Sequence, residues 1–332
     1  MSNNYSELRQ DLVSGDWILV APKRGAKPHT FLRKKARSPA PLKNCPFENI
    51  LKTHKPIFVY NGGGKNDSWE VVIVENKYPA VVHKNVCAKS FRHGIYSLVG
   101  GVGHHNLIVT RDHNRNFAAL TSLEANQVFQ VFRDRYLMLL NDSCLAYILI
   151  FHNWGPDAGA TIYHPHYQLI AVPVVPPDVR HSLTGSSNYF KKYKHCVHCD
   201  MIKAEKKEGK RIVYENRGAV IIAPFVSREP FELRIFPKKH SPYFENILDT
   251  ELEDVVSALQ LALKRIEKKL GNSDYNFFIH TAPVKEKEKY RHYHWHIEVI
   301  PKTNISAGFE LGTGIEINVV DPDAAARILR TR

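Results

Sequence analysis

The 332-residue chain contains the same order of motifs twice, on either side of about residue 190. The first copy contains, in order, Cys45-Pro-Phe-Glu48, a strand-like segment at residues 71–76 and a further segment at residues 107–113. The second copy contains Cys196-Val-His-Cys199, then residues 212–216 and 233–240. An internal repeat of this length predicts a fold built from two similar units.

A helix is predicted after residues 107–113 in the first copy and after residues 233–240 in the second, and both of these segments end in a histidine. Helix-start signals precede an acidic residue in both copies: Thr121-Ser122 before Glu124, and Asp249-Thr250 before Glu251. Apolar residues then recur at helical spacing and predict buried faces: Val128, Phe132 and Tyr136, and later Val255, Leu259 and Leu263.

Each copy ends with two strands, and paired histidines open the second of them. These pairs are His164-Pro-His166-Tyr-Gln168 and His294-Trp-His296-Ile-Glu298. Several strands with one long helix predict an α+β half with an antiparallel sheet, and two halves related by a pseudo-twofold axis. We expect domains at residues 1–185 and 186–332, joined by a Ser-, Gly- and Lys-rich linker at residues 182–193.

Two cysteines two residues apart, Cys196 and Cys199, are typical of a zinc knuckle or of a redox pair. The repeat favours zinc, because His240 and His294 follow in the same copy and complete a set of two thiolates and two imidazoles. That set is the usual complement of a closed tetrahedral zinc site.

The first copy offers Cys45, His113 and His164 in the same order, with Glu48 in place of the second cysteine. Because a carboxylate can bind zinc, this site is intact with mixed ligands, weakened or empty. Cys45 as a small buried hydrophobic residue is the alternative. Cys87 and Cys144 have no counterparts in the repeat and are predicted to be core thiols.

His164 and His166 lie two residues apart, so on a strand both project from the same face. A metal ion on His164 would anchor the strand and present His166 with little orientational freedom, as a nucleophile requires. Gln168 would project on that face as an amide donor to a phosphoryl oxygen. Burying three polar side chains unpaired would cost several kcal/mol, which argues against a purely structural role.

The charge balance of 46 Lys+Arg against 33 Asp+Glu, a net +13, favours an anionic partner. A zinc-containing nucleic-acid-binding protein is disfavoured, because the basic clusters Arg33-Lys34-Lys35 and residues 191–194 are short and lack a stacking-aromatic platform. The longest apolar run, residues 145–151, is too short to span a membrane. The polar N-terminus predicts a cytoplasmic protein, whose cysteines are thiols or metal ligands.

The motif His164-Pro-His166-x-Gln168, preceded by Phe151-His-Asn153 and Gly159, resembles the active-site segment of the galactose-1-phosphate uridylyltransferase family. That family belongs to the histidine-triad superfamily, so the resemblance implies two histidine-triad-like halves. It extends over nearly the whole chain, through Asp16-Trp-Ile-Leu-Val-Ala-Pro-Lys-Arg24, Glu75-Asn76-Lys-Tyr-Pro79, Arg111-Asp-His113 and Gly308-Phe-Glu310.

The resemblance implies that His166 attacks the α-phosphorus of UDP-glucose, releases glucose 1-phosphate and passes the uridylyl group to galactose 1-phosphate. Such ping-pong covalent catalysis suits a neutral imidazole. The implied phosphate donors are Arg24, Asn153, Thr161 and Gln168. Asn76 matches the nucleoside-contacting segment, Glu310 matches the carboxylate near the hexose hydroxyls, and a homodimer is implied.

Several positions depart from the family pattern. Thr161 replaces a usual Ser, Lys27 a usual Arg, and Glu316 stands about where the family has a Gln near the sugar phosphate. The zinc set of the second copy resembles the branch that includes ADP-glucose phosphorylase, in which phosphate accepts the nucleotidyl group. That activity is the alternative function. His296 is interpreted as a vestigial or structural position, and the roles of His280 and His292 stay open.

Overall fold

A computed structural model describes residues 5–25, 39–61 and 69–331. Lys27 and Arg33-Lys34-Lys35 lie outside the described residues. The strands are β1 (Glu7–Gln10), β2 (Trp17–Val20), β3 (Pro56–Tyr60), β4 (Val71–Glu75), β5 (Ser90–His93), β6 (Tyr96–Val99), β7 (His104–Thr110), β8 (Tyr147–Trp154), β9 (His166–Val172), β10 (Ile212–Glu215), β11 (Ala219–Ile222), β12 (Leu233–Pro237), β13 (Tyr275–His280), β14 (His296–Pro301) and β15 (Ile317–Asn318). The helices are α1 (Ile50–Thr53), α2 (Ser122–Leu139), α3 (Pro177–Tyr193), α4 (Val197–Glu208), α5 (Asp249–Leu270), α6 (Gly308–Thr313) and α7 (Pro322–Arg330).

One ten-stranded antiparallel sheet organises the chain, in the order β10-β11-β12-β14-β13-β8-β9-β7-β4-β3. Its centre is the pair β8 and β13, in register from Tyr275 opposite Trp154 to Ile279 opposite Ile150. This pair joins two sets of five strands, β3-β4-β7-β9-β8 and β10-β11-β12-β14-β13. In each set the long helix follows the third strand along the chain, so the α+β class is confirmed.

Helix α2 begins where the sequence predicts, because Thr121 and Glu124 cap it reciprocally. The Thr121 hydroxyl accepts the Glu124 amide N–H at 3.2 Å, and the Glu124 carboxylate accepts the Thr121 amide N–H at 2.8 Å. This capping box satisfies two N–H groups at the helix start. Helix α5 differs slightly, since Leu248 is its N-cap and Asp249 lies inside its first turn.

The long helices α2 and α5 cover one face of the sheet. The six apolar positions predicted to face the core are all buried: Val128, Phe132, Tyr136, Val255, Leu259 and Leu263. Aromatic rings of the sheet pack against these residues. The ring centroid of Tyr167, in β9, lies 5.1 Å from that of Phe132. This face is the main hydrophobic core, so the polar residues of the same strands must lie on the opposite face.

On that opposite face, a smaller apolar cluster lies beside the strand that carries His166. Phe47 and Ile50 come from the segment after Cys45 and pack over β4 and β7. Their partners in the cluster are Trp69, Val72, Val74, Leu107 and Val109. The cluster therefore holds the Cys45 segment against the sheet next to the paired histidines.

The predicted linker at residues 182–193 is wrong, because this segment is the second part of helix α3. Pro176 and Pro177 set the helix start, and the buried residues Val179, Leu183 and Ser186 recur at intervals of four and three. A built Cβ at Gly185 would lie 1.5 Å from the carbonyl oxygen of Val13. Glycine at this position therefore reflects a close approach between backbones, and not a flexible connection.

The prediction that Cys87 and Cys144 are core thiols is also wrong, because the two form a disulfide. Cys87 is exposed and Cys144 is half-buried. They are 57 residues apart in the sequence, and no local sequence pattern predicts a disulfide between such distant loops. The bond connects the segment before β5 to the turn after α2.

Two smaller sheets complete the fold. Strand β2 pairs antiparallel with β1 and parallel with β15, which brings the C-terminal region against the N-terminal strands. Strands β5 and β6 form a separate hairpin in which every residue is exposed. Across residues 5–25, 39–61 and 69–331, none of the helices is long and apolar enough to cross a membrane.

We predict that Gly185→Ala lowers the free energy of unfolding by about 1–3 kcal/mol, because the new methyl group must displace the backbone at Val13. Urea denaturation measures the change. Thr184→Ala is the matched control, since Thr184 is exposed on the same helix and should stay within about 0.5 kcal/mol of wild type. A Gly185→Ala protein as stable as wild type would contradict the packing described here.

Candidate active site and metal centres

Strand alternation places a small set of polar side chains on the sheet face away from the long helices. In β9, Tyr167 is buried toward the helices, while His166 and Gln168 project to the other side. Phe151 of β8 pairs with Gln168, so Asn153, two residues further, lies on the same face. The Asn153 side-chain oxygen accepts a hydrogen bond from Asn276 at 2.8 Å, which orients its amide group.

One ring nitrogen of His166 is hydrogen-bonded to the backbone, and the other carries a lone pair that can react. Its Nδ1–H donates to the carbonyl oxygen of His164 at 2.9 Å, so Nε2 carries the lone pair. Burial lowers the pKa of His166, against the opposing effect of this hydrogen bond. The Phe47 ring lies edge-on at 5.3 Å and limits rotation of the imidazole. A neutral, oriented imidazole of this kind is suited to nucleophilic attack.

His105 orients Gln168, and the motif analysis did not identify it. The Ala80 amide N–H donates to Nδ1 of His105 at 3.0 Å, which places the proton of the neutral ring on Nε2. Nε2 lies 2.9 Å from Oε1 of Gln168 and donates to it. Because the Gln168 oxygen accepts this hydrogen bond, the NH₂ group is the part of the side chain that can donate to a ligand.

A sequence signal for His105 exists in the alternation of β7. Leu107 pairs with Gln168 and Val109 pairs with His166, so the residue two positions before Leu107 shares their face. A histidine there, in an otherwise apolar strand, indicates a polar neighbour on β9.

The first metal-ligand set predicted from the sequence comes together in the structure. The donor atoms of Cys45, Glu48, His113 and His164 all lie within 4.8 Å of one another. Both histidines use Nε2–H on a backbone carbonyl, His113 on Ala40 at 2.8 Å and His164 on Thr110 at 2.7 Å. Each ring therefore turns Nδ1 toward the other donors, as a metal-binding histidine does.

Glu48 fits this set as a ligand. Its Oε1 lies 3.4 Å from His113 Nδ1 and 3.5 Å from His164 Nδ1. The same oxygen is buried and has no hydrogen-bond partner among the described residues. Burial also raises the pKa of the Cys45 thiol and lowers the pKa of His164. A divalent cation would supply the missing partner for the carboxylate and stabilise the thiolate.

The second metal-ligand set has the same construction. The donor atoms of Cys196, Cys199, His240 and His294 lie within 4.8 Å of one another. His240 Nε2 donates to the Arg291 carbonyl and His294 Nε2 donates to the Pro237 carbonyl, both at 2.9 Å. Nδ1 of each ring lies 3.5 Å from the Cys199 sulfur. Two thiols and two oriented imidazoles fit a tetrahedral zinc ion.

His296 repeats the hydrogen bond of His166, but its surroundings differ. Its Nδ1–H donates to the His294 carbonyl at 3.1 Å. Glu298 stands two residues later, where the first half has Gln168, and it accepts a hydrogen bond from His280 at 3.0 Å. Although burial opposes it, the Arg228 guanidinium holds the pKa of Glu298 well below its usual range. A buried carboxylate at this position would repel a phosphoryl group, which supports a structural role for His296.

The other predicted substrate contacts occupy different parts of the fold. Glu316 lines a cavity of about 370 Å³ together with His280 and His296, and accepts a hydrogen bond from Ser306 at 3.2 Å. Glu310 caps its own helix, because its carboxylate accepts the Ala307 amide N–H at 3.0 Å.

Arg24, Thr161 and Asn76 complete the predicted set. Arg24 is exposed in a short 3₁₀ turn, and Thr161 is exposed in the loop before His164. The Asn76 side chain contacts the His105 ring, with 3.0 Å between Nδ2 and Nε2, so Asn76 lies next to the pair of His105 and Gln168.

His292, whose role the sequence left open, is buried, and its Nε2 lies 3.3 Å from the Leu183 carbonyl oxygen.

Comparison with known proteins agrees with the resemblance in the motifs. A family described as a domain of unknown function, DUF4921, matches residues 70–331. The ADP-glucose phosphorylase of Arabidopsis thaliana is 31% identical over 335 residues, covering 99% of this chain and 94% of that protein. The galactose-1-phosphate uridylyltransferase of Thermotoga maritima is 26% identical over 340 residues, covering 98% of each.

The fold agrees as well. The crystal structure of an ADP-glucose phosphorylase from Arabidopsis thaliana with bound ADP-glucose matches with a TM-score of 0.83 and 28% identity, covering 99% of both chains. Because sequence and fold correspond from one end to the other, the chain belongs to the galactose-1-phosphate uridylyltransferase-like family of enzymes.

Proposed function

We propose that the protein transfers a nucleotidyl group from a nucleoside-diphosphate hexose through a covalent bond to His166. The observation that carries this proposal is the orientation of the His166 ring, whose Nδ1–H is engaged by the His164 carbonyl at 2.9 Å. In the first step Nε2 attacks the α-phosphorus, the N–P bond forms and hexose 1-phosphate leaves. In the second step an acceptor oxygen attacks the same phosphorus and frees the imidazole.

Two amide groups support this chemistry. The NH₂ of Gln168 and the side chain of Asn153 lie on the face of His166, and each is oriented through its oxygen by a neighbour, His105 or Asn276. Donors that are oriented before the reaction stabilise charge on phosphoryl oxygens without a reorganisation cost. The His164 carbonyl stabilises the positive charge that the His166 ring acquires when it is bonded to phosphorus.

Zinc is the metal that we propose for both ligand sets. At the set of Cys45, Glu48, His113 and His164, a bound ion would fix His164, whose carbonyl holds His166. At the second set it would join helix α4 to strand β14 and stabilise the fold.

For the substrates, we favour ADP-glucose as donor and phosphate as acceptor, which yields ADP and glucose 1-phosphate. The support is the 31% identity to an ADP-glucose phosphorylase over 99% of the chain. Exchange of UMP between UDP-glucose and galactose 1-phosphate is the second candidate, favoured by the similarity to the Thermotoga maritima enzyme.

We also infer that the protein acts as a homodimer. The β5–β6 hairpin exposes Phe91, Tyr96 and Leu98, and Ile95 in its turn is 91% exposed. An apolar patch of this kind on a small hairpin is typical of a surface that a second chain covers.

The two halves of each chain, with their matching strand order, are in our proposal copies of one histidine-triad-like unit divided near residue 185.

His166→Asn should reduce transfer by about a thousandfold or more, because the nucleophilic nitrogen is removed. The Asn amide can still donate to the His164 carbonyl, so the fold should be retained. Release of glucose 1-phosphate from ADP-glucose with phosphate, and from UDP-glucose with galactose 1-phosphate, measures activity and identifies the preferred pair. His296→Asn is the matched control and should keep its activity. Activity of His166→Asn within tenfold of wild type would refute the proposal.

His105→Ala should lower kcat by about tenfold, because Gln168 loses the partner that orients it. His105→Gln, which restores an N–H near the position of Nε2, should recover part of the loss. In the Gln168→Ala background the same His105 change should have little further effect, as a double-mutant cycle would show. Additive effects of the two substitutions would contradict the positioning role.

Cys199→Ser should remove one zinc equivalent per chain and lower the melting temperature by several degrees, since metal binding and folding are coupled. Elemental analysis and a thermal melt test this prediction. His195→Ala is the control, because His195 is exposed beside the cysteine pair and outside the ligand set. Equal zinc content in the Cys199→Ser protein and wild type would disprove the second centre.

A further inference from the structure

At the base of the β5–β6 hairpin, three side chains from distant parts of the chain converge. His83 precedes the hairpin, His104 opens β7 and Asp142 lies in the turn after α2. One donor atom from each lies within 4.8 Å of the other two. None of these residues belongs to the two cysteine-containing sets.

A single carboxylate oxygen faces both rings. Asp142 Oδ2 lies 3.1 Å from His104 Nε2 and 3.9 Å from His83 Nδ1. The other oxygen, Oδ1, accepts the Cys144 amide N–H at 2.9 Å, which fixes the orientation of the carboxylate. The two imidazole rings are stacked, with centroids 4.4 Å apart.

The backbone brings His83 to His104. The Val82 amide N–H donates to the Gly101 carbonyl, and the Gly103 amide N–H donates to the Val82 carbonyl, both at 3.1 Å. These bonds clamp the residues next to the two histidines. His83 and His104 are therefore adjacent because of main-chain pairing, and not because two mobile side chains happen to meet.

We propose that His83, His104 and Asp142 form a third metal centre, which binds a divalent transition ion with zinc as the first choice. Zinc bonds to nitrogen and oxygen of about 2.1 Å place tetrahedral ligands about 3.4 Å apart. The separations of 3.1 Å and 3.9 Å from Asp142 Oδ2 lie on either side of this value, and the side chain of His83 is 44% exposed. Two imidazoles and one carboxylate leave the fourth position to water.

The protonation states of these groups are compatible with a metal ion. Burial lowers the pKa of His104 and so favours the neutral ring, which is the form that binds a metal ion. A metal ion on Nε2 requires the ring proton to reside on Nδ1. The bound ion would join residue 83 to residue 142, the same two segments that the Cys87–Cys144 disulfide connects.

Equilibrium dialysis of the full chain against buffered Zn²⁺, followed by elemental analysis, tests this proposal. Wild type should bind one zinc more per chain than His83→Ala, with micromolar or tighter affinity. His93→Ala is the matched control, since His93 is exposed on the same hairpin, and it should bind as wild type does. Equal zinc content in His83→Ala and wild type overturns the proposal, as does a difference that appears only at millimolar zinc.

Two further variants separate imidazole ligands from thiol ligands. His104→Gln should lose the same ion as His83→Ala. The double variant Cys87→Ser/Cys144→Ser should retain it, because the sulfur atoms are not ligands in this proposal. Loss of the ion in the serine variant with retention in His83→Ala would assign it to the thiols and overturn the proposal. Because only differences between variants are counted, the result does not depend on the activity at His166.

Discussion

Six histidines at the candidate sites each donate one ring N–H to a backbone carbonyl, and this constraint decides what the other ring nitrogen can do. His113, His164, His240 and His294 all donate through Nε2 and turn Nδ1 toward a metal-ligand set. His166 and His296 donate through Nδ1 and keep Nε2 available. Thr110 and Pro237 supply their carbonyls from strands β7 and β12, and the other four carbonyls come from loops. In our proposal, the fold itself thus separates the metal ligands from the nucleophile.

In our proposal, the two halves of the chain use this geometry for different purposes. In the first half, Gln168 adds a neutral donor beside His166, and His105 orients it. In the second half, Glu298 adds a buried charge beside His296; Arg228 neutralises this charge and His280 donates a hydrogen bond to it. In our proposal, a difference of one side-chain atom, the amide nitrogen of Gln168 against a carboxylate oxygen of Glu298, separates a site that accepts a phosphoryl group from one that would repel it.

The sequence predicted the long helices α2 and α5, both ligand sets and the face of His166, because these depend on short-range spacing and on the repeat. It did not predict the contact between His105 and Gln168, because that contact depends on the register of β7 against β9. The composition of residues 182–193 suggested a linker, whereas the buried spacing of Leu183 and Ser186 fits a helix. The Cys87–Cys144 bond was missed because only the folded chain brings those loops together.

Our proposal requires a covalent bond between His166 and phosphorus. The most direct measurement is the intact mass of zinc-loaded protein incubated with ADP-glucose, and separately with UDP-glucose, in the absence of acceptor, followed by peptide mapping at neutral pH. We expect one nucleotidyl group per chain on the peptide that contains His166, and its removal when phosphate or galactose 1-phosphate is added. A folded, zinc-loaded protein that gains no mass from either donor, or that carries the group on His296, would contradict it.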